Sequence, residues 1–91
     1  MGVVAERLRA KLEAAFSPQR LEIVDDSGRH AGHAGADREG GETHFKVTIT
    51  SAMFQGLGRV DRQRRVNSVL AEELAGPVHA LSIKATTPGE G

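Results

Sequence analysis

The stretch "RVDRQRRVNSVLAEELAGPVHALSI", residues 59–83, predicts a helix followed directly by a strand. Val66, Leu70 and Leu74 recur every four residues, which is the spacing of an apolar stripe along an amphipathic helix. The glycine–proline pair at 76–77 ends this helix, because proline cannot continue it and glycine is common just past a helix end. The apolar run "VHALSI" is typical of a strand. A strand reached through a helix is expected to lie parallel to the strand before it.

Three further elements are predicted upstream of this stretch. "VVAERLRAKLEAAF", residues 3–16, has apolar residues at four-residue steps and is expected to form an amphipathic helix that ends before Pro18. "RLEIVDD" and "THFKVTIT", residues 20–26 and 43–50, are typical of strands, and the second alternates strictly between apolar and polar positions. After the second strand, Ser51 is expected to cap a short helical turn, "AMFQG". The predicted order is helix, strand, strand, short helix, long helix, strand.

Residues 26–41 lack apolar periodicity, are rich in glycine and charge, and contain "RHAGHAG". We expect this segment to be a flexible loop, and loops longer than about 12–15 residues inside compact domains are often functional. The two strands that it joins are expected to be antiparallel, whereas the second and third strands are expected to be parallel. Under both assumptions the loop leaves the sheet at the end where the third strand begins. Its histidines are therefore expected to converge with His79.

The composition restricts the classes of function. A chain of 91 residues suits one small domain with a thin core. Twelve Lys+Arg balance twelve Asp+Glu, for a formal net charge of +0, which disfavours non-specific nucleic-acid binding by the chain as a whole. Because there is no cysteine, disulfide bonds, a thiol nucleophile and a thiolate metal site are excluded. No Ser–His–Asp arrangement or phosphate-cradling loop is recognisable, so we expect that the protein is not an enzyme.

The sequence predicts a cytoplasmic protein without membrane association. No apolar run approaches the roughly 20 residues that span a bilayer. The N-terminal sequence "MGVVAERLRAKLE" is not typical of a targeting segment. The abundance of alanine, glycine and arginine favours a bacterial source, although an organelle matrix protein after removal of its targeting segment would have a similar composition.

Four separated segments of the chain together resemble the BolA family: "LEIVDDSGRHAGHAG", "ETHFKVTI", "FQGLGRVDRQRRV" and "LAEELAGPVHALSI". The resemblance spans roughly residues 8–88 with the elements in the family's order. It implies an α+β fold of αββααβ order, akin to type II KH modules, with a three-stranded mixed sheet and the helices packed on one face. We expect one BolA-like domain over residues 1–91, with an ordered core at about 3–85, the flexible loop at 26–41 and a frayed tail at 86–91.

The resemblance also implies a partner and a cofactor. BolA-like proteins bind monothiol glutaredoxins and share a bridged 2Fe–2S cluster, which implies an adaptor in iron–sulfur cluster assembly, cluster transfer or iron sensing. The glutaredoxin and its glutathione supply the thiolates, so the isolated chain is expected to be a monomer with no tightly bound cofactor. Carried over by position, the family's ligands fall on His79 in "VHAL" and on His30 in the loop. His33, three residues further on, competes for the second role.

The alternative function is a DNA-binding transcriptional regulator. BolA proteins have been regarded as such regulators, and an "RHR" signature in the helix before the last strand is proposed to contact DNA. Here that signature reads "RQR", so Gln63 stands where the family has histidine. The helix carries four arginines opposed by one aspartate, a cluster suited to phosphate, to the glutathione carboxylates or to an acidic protein surface. These candidate binding residues are Arg59, Arg62, Arg64 and Arg65.

A third interpretation is a zinc-binding or purely scaffolding domain. The His30 and His33 pair together with His44 or His79 would supply imidazole ligands for Zn²⁺. His44 itself is expected on the polar face of the second strand, solvated or hydrogen-bonded.

Overall fold

The computed structural model describes residues 2–25 and 43–90. Within them lie three α-helices, one 3₁₀ turn and a three-stranded sheet. In this part of the chain no helix combines the length and apolarity that a membrane span requires. The elements in chain order are α1 (Val3–Phe16), β1 (Arg20–Asp25), β2 (His44–Thr50), the 3₁₀ turn (Ala52–Phe54), α2 (Arg59–Val69), α3 (Ala71–Ala75) and β3 (Ala80–Thr86).

The sheet has the order β1-β2-β3, with β2 in the centre. β1 pairs with β2 in antiparallel fashion, so that Asp25 lies opposite Phe45. β3 runs parallel to β2, and His44 lies opposite Ala80. The predicted strand directions are therefore confirmed. As a consequence, the end of β1 and the starts of β2 and β3 lie at the same end of the sheet.

The helices cover one face of the sheet, as predicted. The alternation of β2 turns Phe45, Val47 and Ile49 into the core, while Lys46 between them is exposed. Burying side chains of this size stabilises a fold by about 1.5–3 kcal/mol each. The helices supply the opposite wall from apolar positions at helical spacing, which in α1 are Ala5, Leu8, Leu12 and Phe16, and in and after α2 are Val66 and Leu70.

Ser51 joins three elements at the far end of β2. Its hydroxyl donates to the carbonyl of Phe16 at 2.7 Å and accepts from the backbone N–H of Met53 at 3.1 Å. Its own N–H donates to the carbonyl of Thr86 at 3.0 Å. The predicted cap of the short turn is confirmed. The buried hydroxyl also ties the end of α1 to the turn, where the rings of Phe16 and Phe54 lie 4.9 Å apart.

The long helix predicted from residues 59–75 is interrupted at Leu70. This residue has φ −102° and ψ 20°, and it separates α2 from α3. The N–H of Leu70 still donates to the carbonyl of Val66, and the N–H of Leu74 to that of Leu70, each at 3.0 Å, so hydrogen bonding continues across the interruption. Because the apolar spacing continues through Leu70, the sequence pattern does not reveal the interruption.

The C-terminal residues 86–90 comprise the end of β3 and a turn that contacts α2. Thr86 is the last residue of β3, and Thr87 is buried at 6% exposure. The Glu90 carboxylate accepts hydrogen bonds from the N–H of Thr87 at 2.9 Å and from Arg62 at 2.7 Å. Within the tail that the sequence predicts to fray, Glu90 thus has a partner on α2 that is distant in sequence.

Glu73 is a fully buried carboxylate that connects α3 to α1. Its Oε2 lies 3.0 Å from Nη2 of Arg7, and the Nζ of Lys11 lies 3.0 Å from Oε1 and 2.9 Å from Oε2. The neighbouring Glu72 is exposed and also pairs with Lys11 at 2.8 Å. The hydrogen bonds that Lys11 donates to Glu72 and then to Glu73 raise its pKa. Glu73 therefore differs from its exposed neighbour Glu72, since cations one turn apart on α1 enclose it.

We expect Glu73→Ala to lower the free energy of unfolding by about 2–3 kcal/mol. This is less than the full cost of leaving a buried charge without its partner, because Arg7 and Lys11, which lose their partner in this variant, remain partly hydrated. Urea denaturation followed by circular dichroism measures the change. Glu72→Ala is the matched control and should leave stability nearly unchanged, since Glu72 is exposed. Equal losses in the two variants would contradict a special role for the buried carboxylate.

Candidate functional site

His79 lies at the end of the sheet where β1 ends and β2 and β3 begin. It directly precedes β3 and its side chain is exposed. Its backbone N–H donates to the carbonyl of Thr43 at 2.8 Å, and the N–H of Ala80 reaches the same carbonyl at 3.2 Å. The imidazole is therefore presented from a backbone position held by the sheet. We call this region, formed by Asp25, Thr43, His44 and His79, the histidine end.

The second imidazole at the histidine end is that of His44. Its ring centroid lies 6.4 Å from that of His79, and the two ring planes differ by 16°. Its Nδ1 is 2.8 Å from Oγ1 of Thr43, which confirms the expected hydrogen bonding. The proximity to His79 was not predicted. It follows from the parallel register, which sets His44 opposite Ala80 and which no local sequence pattern specifies.

The loop histidines His30 and His33 lie outside the described residues. The segment that carries them leaves the described chain after Asp25 and rejoins it at Thr43. Both attachment points belong to the histidine end, as the sequence predicted. Within residues 2–25 and 43–90, no group of three His, Asp or Glu side chains could hold a metal ion. The predicted zinc site includes the loop histidines, and so remains a prediction.

Three of the four predicted arginines are exposed on α2. They are Arg59, Arg64 and Arg65. The guanidinium of Arg64 lies 3.9 Å from the carboxylate of Asp61, with side chains 77% and 60% exposed. A pair this long and this exposed contributes little to stability. The cationic character of this helix is therefore available to a partner mainly through these three side chains.

Arg62 points inward and is used by the fold. Its side chain is 15% exposed. Nε donates to the carbonyl of Leu57 at 2.9 Å and Nη1 to that of Ala85 at 3.1 Å. Nη1 and Nη2 also bind the two carboxylate oxygens of Glu90 at 2.7 and 3.1 Å. The structure thus gives Arg62 a structural role, and the binding role that the sequence predicts for it stays a prediction.

The pairing of Glu90 with Arg62 predicts a pH-dependent C-terminal turn. The hydrogen bond from Arg62, followed by that from the N–H of Thr87, lowers the pKa of Glu90 from 4.5 to about 2. Because the folded-state pKa is the lower one, the stabilisation is present above about pH 4.5 and is lost as the pH falls towards 2. NMR titration of the Thr87 amide should follow this loss. Glu90→Gln should remove the titration, and its persistence in that variant would assign it to another group.

The sequence and the fold match one family of known proteins. The model of the family "BolA: BolA-like protein" aligns with residues 12–90. This chain belongs to the BolA-like family. The resemblance seen in the sequence and the predicted α+β fold are both confirmed.

Individual relatives agree with this assignment. "BolA-like protein 1" of Mus musculus is 49% identical over 89 residues, covering 98% of this chain but 61% of its own length. The chain therefore spans about three fifths of that longer relative. The "DNA-binding transcriptional regulator BolA" of Escherichia coli is 45% identical over 85 residues, covering 93% of this chain and 76% of its own. The solved structure of BolA1 from Arabidopsis thaliana superimposes with a TM-score of 0.89 at 46% identity, covering 100% and 98% of the two chains.

Proposed function

We propose that this BolA-like domain is a non-enzymatic adaptor that pairs with a monothiol glutaredoxin to share a 2Fe–2S cluster. Its role would lie in cluster assembly, cluster transfer or iron sensing. The observation that carries the proposal is the exposed imidazole of His79 on the histidine end, where both attachments of the segment bearing His30 and His33 also lie.

The donor set of this chain suits a shared cluster. Because there is no cysteine, the chain offers nitrogen and oxygen ligands, and the thiolates come from the glutaredoxin and its glutathione. His79, with His30 or alternatively His33, would hold one iron. Imidazole in place of thiolate raises the reduction potential of a 2Fe–2S centre and makes its ligation sensitive to protonation.

The described residues orient the ligand before any partner arrives. The hydrogen bond from the N–H of His79 to Thr43 holds the backbone of the ligand residue on the sheet. The ring of His44 beside it restricts the directions that the His79 imidazole can take. A ligand whose position is set in advance loses less conformational entropy when the complex forms.

The exposed arginines of α2 suit docking to an acidic surface. Arg59, Arg64 and Arg65 carry charge that is not consumed by the fold, unlike Arg62. Complementary charge of this kind raises the rate of association more than the final affinity. The docking role is therefore expected to weaken as salt increases.

Mixing the protein with a cluster-loaded monothiol glutaredoxin and glutathione tests the proposal. We expect the visible absorption and circular dichroism of the cluster to change when its ligands are exchanged. His79→Ala should abolish that change, because it removes the imidazole without altering the core. His79→Cys should restore a complex with a distinct spectrum. His30→Ala and His33→Ala identify which loop residue takes part.

Two variants serve as controls for this experiment. Ser82→Ala alters an exposed position of β3 and should leave the spectral change intact. His44→Ala removes the neighbouring imidazole and should weaken the change without abolishing it, since His44 orients the ligand in this scheme. A mixture with His79→Ala that is indistinguishable from the wild-type mixture would show that the assigned ligand is wrong.

A DNA-binding regulator is the second candidate, favoured by the name of the Escherichia coli relative and by the exposed arginines of α2. Since Arg62 is occupied within the fold, Arg59, Arg64 and Arg65 would make the phosphate contacts. Their number is small, so affinity should fall steeply with salt.

Fluorescence anisotropy with duplex DNA across a salt series tests this second candidate. The double variant Arg64→Ala/Arg65→Ala should bind more weakly and lower the slope of log K against log salt by about 2. Arg20→Ala is the matched control, because Arg20 is an exposed arginine on β1 paired with Glu22. An unchanged slope in the double variant would show that Arg64 and Arg65 of α2 do not contact the DNA.

A further inference from the structure

β3 is an edge strand of the sheet. In the described part of the chain β3 pairs with β2 on one side, and no strand pairs with its other side. An edge strand presents backbone N–H and C=O groups that can pair with another chain. We refer to this side of β3, from Ala80 to Ala85, as the outer edge.

The hydrogen bonds show which residues face the outer edge. The N–H of Ala80 and the C=O of Thr86 bond towards β2, so the even-numbered residues of β3 are used within the sheet. In a parallel ladder the residues between them point the opposite way. The C=O of Ala85 points away from β2 in this way, since it accepts a hydrogen bond from Arg62. Leu81 and Ile83 therefore direct two N–H donors and two C=O acceptors towards the outer edge.

A cleft of about 330 Å³ runs along this edge between β3 and α2. Ile83, Lys84 and Ala85 of β3 line it. Because the side chain of Ile83 lies on the core face of the sheet and that of Lys84 on the solvent face, a cleft lined by both lies at the side of the strand. Arg59 and Gln63 line it from α2. The lining therefore carries two cations and a side-chain amide, and no carboxylate.

Among the described residues, the acidic side chains of α2 and of the C-terminal turn have other partners. Glu90 is bound to Arg62, and Asp61 lies on the side of Arg64. Arg59 and Lys84 are both exposed. The cleft thus combines open backbone hydrogen-bonding groups with a local positive charge.

We propose that the outer edge of β3 binds an extended, acidic segment of a partner protein as a fourth strand of the sheet. Leu81 and Ile83 pair with the backbone of the segment, while Arg59 and Lys84 contact its carboxylates. The bond from Arg62 to Ala85 closes the ladder at one end, which limits the added strand to a short stretch. This proposal needs no metal ion and no histidine ligand, and Arg59 is the one residue that it shares with the docking role proposed above.

The chemistry of the edge favours a peptide over the other occupants. Alternating donors and acceptors match a second backbone, whereas phosphates offer acceptors alone. A second copy of this chain would bring its own Arg59 and Lys84 to the same edge, and like charges facing each other are destabilising.

A blocked heptapeptide of alternating valine and glutamate is the probe for an NMR titration of the ¹⁵N-labelled protein. We expect chemical-shift changes along β3 and at least tenfold slower hydrogen exchange of the Leu81 and Ile83 amides. Arg59→Ala and Lys84→Ala should each weaken binding several-fold. Arg64→Ala, an exposed arginine on another side of α2, should change it less than twofold. The folded state of every variant is verified from its own spectrum.

Any one of the following outcomes would overturn the proposal. The first is no shift change at millimolar peptide, and the second is binding without protection of the Leu81 and Ile83 amides. The third is equal binding by a peptide whose alternate backbone nitrogens are methylated, or by a valine–lysine peptide. The fourth is a dimer in sedimentation of the protein alone with both amides already protected, since a second copy would then occupy the edge. Duplex DNA that protects these amides as strongly would also contradict an acidic peptide as the ligand.

Discussion

The parallel pairing of β2 with β3 is the constraint on which the rest of this structure depends. A parallel neighbour cannot be reached through a tight turn, so the chain has to cross over the sheet, and residues 51–79 make that crossing. The crossing lays α2 and α3 beside α1 over the apolar face of β2. The crossing also returns the chain to the end of the sheet at which β2 begins, and His79 therefore lies next to His44.

The charged residues divide into those that hold the fold and those left for partners. Glu73 is buried and joins α3 to α1 by binding two cations of α1. Arg62, largely buried, joins α2 to β3 through the carbonyl of Ala85 and to the C-terminal turn through the carboxylate of Glu90. The exposed arginines of α2 lack such roles. A formal net charge of +0 therefore conceals an uneven distribution, because many of the acidic groups in the described residues are engaged within the fold.

Much of the candidate site could be predicted, and the missing parts have a common cause. The position of His79 at a strand entry follows from local pattern and from the directions expected of the strands. The stacking of His44 on His79 depends on the register between β2 and β3, which no local pattern specifies. In the same way Arg62 resembles its exposed neighbours in sequence, and the contacts to Leu57, Ala85 and Glu90 distinguish it from them.

The sequence by itself determined the order of the elements, the apolar face of each one and the directions of the strands, because these depend on periodicity and on the lengths of the connections. Tertiary structure alone decided the interruption of the helix at Leu70, the burial of Glu73 and the contact of Glu90 with Arg62. Each of these rests on a contact between side chains or packed elements far apart along the chain. Such contacts leave no periodic signal in the sequence. A charged residue that becomes buried beside its partner cannot be distinguished by sequence pattern from one that stays exposed to water.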